Sequence, residues 1–323
     1  MLRPYDRAVR ALVFHGPGDV RLEDVPEPEP GPGDVLVGVE VALTDGTDAK
    51  AYRRGHPVLL GPPPSPFGHE FCGIEIATGR RVVAANSAPC GECEPCRRRE
   101  ETLCESLFPL LNGAYAELLL VPERIARVNL LPVPPALASE VAALLEPLAC
   151  CLHGIERAEI ETGQTVAVLG LGPIGLMLCA AFRDAGAHVV AVGGREERRA
   201  LAAEFGASPG DGHGADVVVE AAGTEDAWRT AIELVRPGGT VLFFGGLPRD
   251  AVPGVDAYRL HYEELTLRGA FHHAPRHVRA ALAFLASGAA PWERLITHRV
   301  GLEGVTGLFE DPPRDLLKAA VLP

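Results

Sequence analysis

The sequence has little positive charge. Its 323 residues contain 30 Lys and Arg against 43 Asp and Glu, which gives a formal net charge of −13. Nucleic-acid binding draws most of its affinity from clustered basic side chains. The charge balance therefore disfavours nucleic acid and anionic membrane as partners. Lysine is especially scarce and occurs only at Lys50 and Lys318.

Long hydrophobic runs are also missing. The most apolar segment, 166–182, is interrupted by three glycines and one proline, and it is shorter than the ~20 residues that a membrane-spanning helix needs. The first ten residues are charged and contain Pro4, so they lack the apolar stretch of a secretory signal. We therefore expect a cytoplasmic protein without a membrane partner.

The length allows about two domains, and the texture of the sequence changes near residue 147. Before that point, short runs at 10–14, 20–23 and 35–41 are separated by Pro and Gly, which predicts an antiparallel or barrel-like β domain. Beyond it, strand-like runs alternate with helical segments, which predicts a parallel sheet with right-handed crossovers. The predicted strands are 166–170, 188–192, 216–220 and 240–244, and the predicted helices are 174–185, 196–205 and 226–235. A helix at 275–287, a strand near 296–300 and a last helix before Lys318 complete the prediction.

A glycine-rich turn follows the strand predicted at 166–170. It reads Gly170-Leu-Gly172-Pro173-Ile174-Gly175 and opens a helix, the context in which such glycines bring backbone N–H groups to a pyrophosphate. The alternative is a plain glycine-rich turn. An NAD enzyme would carry an acidic residue at the end of the second strand, where this chain has Gly194 and Arg195, with Arg198 and Arg199 close behind. Because Arg binds phosphate by a planar fork, we expect NADP to be preferred over NAD; a solvated basic helix start is the alternative.

Four cysteines lie close together in one loop. Cys90, Cys93, Cys96 and Cys104 are spaced as expected for tetrahedral zinc, and an all-cysteine set is typical of a structural site. Disulfides or an iron–sulfur cluster are the alternatives.

Together these motifs resemble the zinc-dependent medium-chain dehydrogenase/reductase family, which includes alcohol, polyol and threonine dehydrogenases. The resemblance rests on Gly68-His69-Glu70, the four-cysteine lobe at about 88–106, Glu146-Pro147-Leu148-Ala149, the glycine turn, and Val219-Glu220-Ala-Ala-Gly223. It implies a Rossmann doubly wound parallel sheet, 148–270, inserted in a GroES-like β-barrel catalytic domain formed by 1–147 and 271–323. Between Phe205 and Asp216, however, we expect no room for the family's third strand and crossover helix.

The resemblance also implies a second, catalytic zinc. Its ligands would be Asp45, standing where the family has Cys, then His69, and either Glu70 or Glu146. A carboxylate is an accepted zinc ligand; a decayed site in which Asp45 is only a loop residue is the alternative. Thr47 matches the family hydroxyl that relays the substrate proton, and Asp48 matches the acid that orients the ligand histidine. Lys50 replaces a histidine of many relatives and is predicted to serve the relay or to bind substrate, with an ordinary surface role as the alternative.

The implied activity is hydride transfer between an alcohol, such as a polyol, sugar or other vicinal hydroxy compound, and NADP. A threonine dehydrogenase or simple alcohol dehydrogenase is a close rival. A zinc-independent quinone or enone reductase and a non-catalytic NADPH- or zinc-binding scaffold are further alternatives. Relatives associate through the edge of the Rossmann sheet, so the resemblance also implies a homodimer or homotetramer, with 239–246 as the expected edge strand.

Overall fold

The computed structural model describes residues 8–323, so the segment around Pro4 lies outside the described residues. The N-terminal part contains β1 (Ala8–Gly16), β2 (Asp19–Pro26), β3 (Val35–Leu43), α1 (Gly46–Arg54), α2 (Pro57–Leu60), β4 (Ser65–Pro66), β5 (Glu70–Glu75), β6 (Arg81–Ala84), α3 (Glu94–Arg97), β7 (Leu118–Val121), α4 (Glu123–Asn129), β8 (Leu130–Pro132) and α5 (Ser139–Ala142). The middle part contains α6 (Leu145–Ala158), β9 (Thr165–Leu169), α7 (Pro173–Asp184), β10 (His188–Val192), α8 (Glu196–Glu204), β11 (Ser208–Pro209), β12 (Ala215–Glu220), α9 (Glu225–Leu234), β13 (Val235–Phe243), α10 (Ala257–Tyr262) and β14 (Thr266–Gly269). The last part contains α11 (Pro275–Ala286), β15 (Ile296–Gly301), α12 (Val305–Glu310) and β16 (Lys318–Leu322).

The chain divides into two compact units. One comprises Met1–Pro147, Ala274–Ser287 and Trp292–Pro323, and the other comprises Leu148–His273 and Gly288–Pro291. The domain assignment made from the sequence, with 148–270 inserted between 1–147 and 271–323, stays a prediction. Within the described part of the chain, no helix combines the length and apolar character needed to cross a bilayer.

Strand β3 is the centre of the first unit's larger sheet, whose order is β15-β16-β3-β5-β6-β8, with β7 also paired to β3. Leu43, at the end of β3, pairs with Glu70 of β5 on one side and with Ala320 of β16 on the other. The next residue, Thr44, continues the pairing through its N–H, which donates to the Ala319 carbonyl at 3.0 Å. Residues far apart in sequence therefore meet at this end of β3.

A second, three-stranded sheet of order β2-β1-β4 covers the same core. Its aromatic centre includes Phe14, Phe67, Tyr115 and Phe309, and the Phe67 ring meets the Tyr115 ring edge-on at 5.7 Å. The pairings of the described strands form these two sheets without closing into a ring. Strand β16 was not expected from the sequence, which predicted only a helix before Lys318.

The second unit contains a six-stranded parallel sheet of order β11-β10-β9-β12-β13-β14. The predicted alternation of strands and helices is confirmed. The expectation that 239–246 forms the edge strand is wrong, because Thr240–Phe243 pairs along its outer side with Thr266–Gly269. Strand β14 is the edge strand on this side of the sheet, and β11 is the edge strand on the other.

The crossover between β11 and β12 is unusually short. The expectation of no third strand is wrong, because Ser208 and Pro209 pair in parallel with β10. The expected loss of the crossover helix is confirmed, because a short glycine-rich loop leads to β12. At Gly212 the φ angle is +75°, and an added Cβ would lie 2.6 Å from Val192 Cγ2 and 3.0 Å from Ala167 Cβ. The loop backbone thus lies directly against the sheet where a helix would otherwise pack.

Candidate metal and coenzyme sites

Asp45 lies directly after β3 and is the N-cap of α1. Its Oδ1 accepts a hydrogen bond from the Asp48 N–H at 2.7 Å, and Asp48 Oδ2 accepts from the Asp45 N–H at 3.3 Å. This reciprocal capping fixes both carboxylates at the start of the helix. Thr47 and Lys50 follow on α1 and are partly exposed.

His69 is buried and lies between these two carboxylates. Its Nδ1 is 3.0 Å from Asp48 Oδ1, and its Nε2 is 3.8 Å from Asp45 Oδ2. A hydrogen bond from Nδ1–H to Asp48 leaves Nε2 facing Asp45. Burial alone would lower the pKa of His69, but the carboxylates of Asp48 and Asp45 raise it well above its ordinary value. The two carboxylates therefore favour a positive charge at His69 Nε2.

Glu70 forms a buried ion pair with Lys318, which the sequence did not predict. Lys318 Nζ donates to both carboxylate oxygens of Glu70 at 2.7 Å and to the Thr44 carbonyl at 3.2 Å, and both side chains are almost completely buried. Burial raises the pKa of Glu70, and the Lys318 ammonium opposes that rise. Burial lowers the pKa of Lys318, but the carboxylates of Glu70, Asp45 and Asp48 together more than reverse the effect, with Glu70 contributing most. The only sign of this pair in the sequence is that Lys318 is one of two lysines.

The donor set around His69 fits a divalent cation. Asp45, His69 and Glu70 each present a ligand atom within 4.8 Å of the others. Two donors of one zinc ion lie at most ~4.2 Å apart, and the Asp45 and His69 atoms satisfy this limit. Glu146, in the first turn of α6, is buried and acts electrostatically on His69 and Glu70. His69 and Lys318 are therefore surrounded by four carboxylates, those of Asp45, Asp48, Glu70 and Glu146. A divalent ion would offset this excess of negative charge.

Tyr115 is a second residue that the sequence analysis missed. Its hydroxyl donates to Asp48 Oδ2, with the Leu43 carbonyl at 3.1 Å as a second acceptor, and its side chain is fully buried. Burial and the charge of Asp48 raise the pKa of Tyr115 well above its ordinary value, so the phenol stays a hydrogen-bond donor. No local pattern links Tyr115 to Asp48, because 67 positions separate them.

The four cysteines of the lobe converge as the sequence predicts. All four Sγ atoms lie within 4.8 Å of one another, with Cys90 to Cys96 and Cys93 to Cys104 each at 3.9 Å. Two sulfurs of a tetrahedral zinc site lie ~3.8 Å apart. The four are free thiols, and backbone N–H groups of Glu92 and Cys93 lower the pKa of Cys90 to about 6. These residues fit zinc, and their role as ligands stays a prediction.

The glycine turn has the shape of a phosphate cradle. At Gly170, where φ is +103°, an added Cβ would lie 2.8 Å from the Ala222 nitrogen, and at Gly175 it would lie 1.8 Å from the Gly170 carbonyl oxygen. At Gly172, the N-cap of α7, nothing lies within 4 Å. Two glycines therefore permit the close packing, and the third leaves open space at a helix N-terminus, where a pyrophosphate would bind. Pro173 occupies the first turn and Ile174 follows it.

The end of β10 is shaped by Gly194, whose φ is +69° and whose added Cβ would lie 3.0 Å from Leu171 Cδ1. The acidic residue of an NAD enzyme would be strained in this conformation. Arg195 is the N-cap of α8. Arg199 Nη1 donates to the Gly194 carbonyl, so this guanidinium is engaged with the loop itself. The assignment of these three residues to the coenzyme stays a prediction.

Two family models match the chain. The alcohol dehydrogenase GroES-like domain matches residues 31–135, and the zinc-binding dehydrogenase model matches residues 173–287. An erythritol/L-threitol dehydrogenase of Mycolicibacterium smegmatis is 32% identical to this chain, and the alignment covers 91% of each of the two chains. The chain belongs to the zinc-dependent medium-chain dehydrogenase/reductase family. The resemblance inferred from the motifs, the oxidoreductase class and the fold class are thereby confirmed.

Other members of this dehydrogenase family support the same placement. D-xylulose reductase A of Aspergillus oryzae is 29% identical over 93% of this chain and 92% of its own. A chain from Sinorhizobium meliloti 1021, assigned as a zinc-binding dehydrogenase and solved with NADP bound, superposes with a TM-score of 0.89 at 32% identity. The alignment covers 98% of this dehydrogenase and 100% of that chain.

Proposed function

We propose that this dehydrogenase transfers a hydride between a polyol, sugar or other vicinal hydroxy compound and NADP, with a catalytic zinc held by Asp45 and His69. The observation that carries the proposal is the convergence of His69 Nε2 and Asp45 Oδ2 at 3.8 Å, with Nδ1 tied to Asp48. Either Glu70 or Glu146 would complete the protein ligands. Glu70 would have to share its carboxylate with Lys318, which favours Glu146.

A zinc ion bound there would act as a Lewis acid on the substrate oxygen. Asp48 holds the imidazole of His69 in one orientation. The Thr47 side chain hydrogen-bonds to Asp45, so its hydroxyl lies beside the proposed site and can relay the proton of the substrate hydroxyl, releasing its own proton as it accepts the new one. Lys50, partly exposed one turn further along α1, is proposed to pass that proton towards solvent or to bind a substrate hydroxyl.

The substrate class is supported by the names of relatives. The matched proteins include a D-xylulose reductase and an erythritol/L-threitol dehydrogenase, and both names denote compounds rich in neighbouring hydroxyl groups.

NADP is supported by the basic residues after β10 and by the NADP-bound relative from Sinorhizobium meliloti. We propose that the turn at Gly170, Gly172, Pro173, Ile174 and Gly175 binds the pyrophosphate. Arg195 would bind the 2′-phosphate beside Gly194, while Arg199 would hold the loop in shape through the Gly194 carbonyl.

We also propose two zinc ions per chain, the second one structural and held by the four cysteines of the lobe. Copies of the chain are proposed to form a homodimer or homotetramer through the β14 edge of the parallel sheet. In the segment that leads into β14, Val252, Tyr258 and Tyr262 are each more than 60% exposed, and exposed apolar side chains and an open strand edge both favour association.

The proposed function is tested by elemental analysis followed by an activity panel. Protein purified without chelator should contain about two zinc ions per chain. It should oxidise pentitols and tetritols faster than ethanol or L-threonine, and with NADP⁺ in preference to NAD⁺. One tightly held zinc, unchanged after dialysis against added zinc, together with activity on quinones or enones alone, would contradict the proposal.

A further inference from the structure

Asp48 is a fully buried carboxylate with no exposed surface, and both of its oxygens are engaged. Oδ1 accepts from His69 Nδ1, while Oδ2 accepts from the Tyr115 hydroxyl and from the Asp45 N–H. The Asp45 and His69 contacts tie Asp48 to two predicted zinc ligands. The Tyr115 contact comes from a different part of the fold.

Tyr115 is itself held on both sides by backbone hydrogen bonds. Its N–H donates to the Phe67 carbonyl at 3.0 Å, and its carbonyl accepts from the Leu12 N–H at 2.8 Å. Its ring lies against Gly68, where an added Cβ would come within 2.6–2.8 Å of three ring atoms. Gly68 also has a φ of +87°, so a side chain there would be strained as well as blocked. The phenol is therefore held rigidly between the residue that precedes His69 and the carboxylate that orients it.

We propose that Tyr115 is a positioning residue for the catalytic metal site: its hydroxyl fixes the Asp48 carboxylate, which in turn fixes the His69 ring. This inference rests on the proposed zinc at Asp45 and His69. Partners beyond the direct ligands orient those ligands and keep them basic, and their loss typically costs ten- to hundredfold in metal affinity. Tyr115 acts through one intermediate residue, so we expect the lower end of that range.

The test is Tyr115→Phe, which removes the hydroxyl and keeps the ring that packs on Gly68. The chain offers a matched control in Tyr52, another buried tyrosine of the same unit. The Tyr52 hydroxyl donates to Glu310 Oε1 at 2.9 Å and lies 3.2 Å from the Gly18 carbonyl. Each tyrosine thus has one carboxylate and one backbone carbonyl as acceptors, but only Tyr115 contacts Asp48. Tyr52→Phe measures the general cost of losing such a hydroxyl.

The readout is the zinc dissociation constant, measured by chelator competition, with His69→Ala identifying the metal equivalent that belongs to this site. We expect about tenfold weaker zinc binding in Tyr115→Phe and no change in Tyr52→Phe, while thermal unfolding of the metal-free proteins shifts similarly in both. The role of Tyr115 would be overturned if Tyr115→Phe binds zinc as tightly as wild type while His69→Ala loses one metal equivalent. The proposed function would then still stand. If His69→Ala loses no metal, the proposed site and this inference both fail.

A double-mutant cycle tests the route of the effect. If Tyr115 acts through Asp48, Tyr115→Phe should weaken zinc binding in the wild-type background and have little further effect beside Asp48→Asn. Additive effects would overturn the proposed route.

Should Tyr115→Phe fail to fold, the wild-type protein carries the test. The chain has five tyrosines, so ¹³Cζ-labelled tyrosine gives few NMR signals, and these can be assigned by substituting the other four. Removing the metal should move the Tyr115 signal and leave the Tyr52 signal in place. An unmoved Tyr115 signal would contradict the inference.

Discussion

Asp45 has two roles that a substitution must separate. As the N-cap of α1 it accepts from the Asp48 N–H, and its other oxygen faces His69. Losing a cap costs about 1 kcal/mol of stability, whereas losing a zinc ligand removes a metal ion. A loss of activity alone would not distinguish the two roles.

We predict that Asp45→Asn and Asp45→Ala both lose one zinc equivalent and most of the dehydrogenase activity. Asn can still cap the helix, so Asp45→Ala should be the less stable of the two by about 1 kcal/mol. Elemental analysis and urea unfolding, performed on both proteins, check the two parts. A full zinc content in Asp45→Asn would show that Asp45 is only a capping residue.

Lys318 neutralises a carboxylate that has no access to water. Removing one partner of a buried ion pair costs about 3–5 kcal/mol, because the other charge stays buried. We therefore predict that Lys318→Met lowers the free energy of unfolding by about this amount at pH 7, measured by urea denaturation. Adding Glu70→Gln should recover most of the loss, since the carboxylate left without its ammonium partner is then removed as well. Equal stabilities for the single and double variants would argue against the ion pair.

Arg195 is the proposed partner of the coenzyme's 2′-phosphate. Hydrogen bonds to charged groups contribute about 1.5–3 kcal/mol, which corresponds to roughly ten- to hundredfold in affinity. We predict that Arg195→Asp raises the KM for NADP by about that factor and leaves the KM for NAD unchanged or lower. Steady-state kinetics with both coenzymes decide the matter, and equal increases for the two would remove the assignment.

At the scale of elements, the four-cysteine lobe is a loop with little apolar core of its own. Three of its cysteines are partly exposed, and its one α-helix, α3, spans only Glu94–Arg97. We therefore expect the folded structure of the lobe to depend on the zinc ion proposed to be bound by the four sulfurs.

We predict that Cys96→Ser lowers the melting temperature of the protein before it affects turnover measured at low temperature. Chelator should lower the melting temperature of the wild type and have a much smaller effect on Cys96→Ser, since zinc binding stabilises the folded state by mass action. Differential scanning calorimetry with and without chelator provides the comparison. A wild-type transition that is insensitive to chelator would refute a metal in the lobe.

The elements that the sequence predicts well are those with local signals. The strand predicted at 188–192 is observed at His188–Val192, and the three helices predicted for the parallel-sheet unit begin within one residue of their predicted starts. Hydrophobic periodicity and flanking glycines determine these boundaries. Strand β13 begins five residues earlier than predicted, because it continues through Pro237 and Gly238 with an irregular register against β12.

The features that the sequence did not predict depend on distant partners. The sequence named Asp45, His69 and Glu70, which the structure places together. It did not indicate that Tyr115 contacts Asp48 or that Lys318 pairs with Glu70, because these pairs are 67 and 248 positions apart. No local sequence pattern signals either contact, because each depends on how distant strands pair within the first unit.

At the scale of the whole molecule, the proposed assembly can be separated from the chemistry. We predict that wild type sediments as a dimer or tetramer of the 34.2 kDa chain and that Tyr258→Glu with Tyr262→Glu shifts it towards monomer, because two charges would be buried at the interface. Phe108→Glu, which changes an exposed aromatic residue just after the lobe, is the control and should leave the assembly intact. A wild-type protein that sediments as a monomer would contradict the proposal.

The Glu70–Lys318 pair has a consequence for how the protein is made. A ribosome adds about 5–20 residues per second, so the 248 positions between the two partners represent on the order of 12–50 s of synthesis. During that interval Glu70 has no ammonium to neutralise it, and the edge of β3 that later receives β16 is still open. We therefore expect the end of β3 that precedes Asp45 to be completed only after Lys318 has been synthesised, so the pairing of β16 with β3 and the buried ion pair form late in folding.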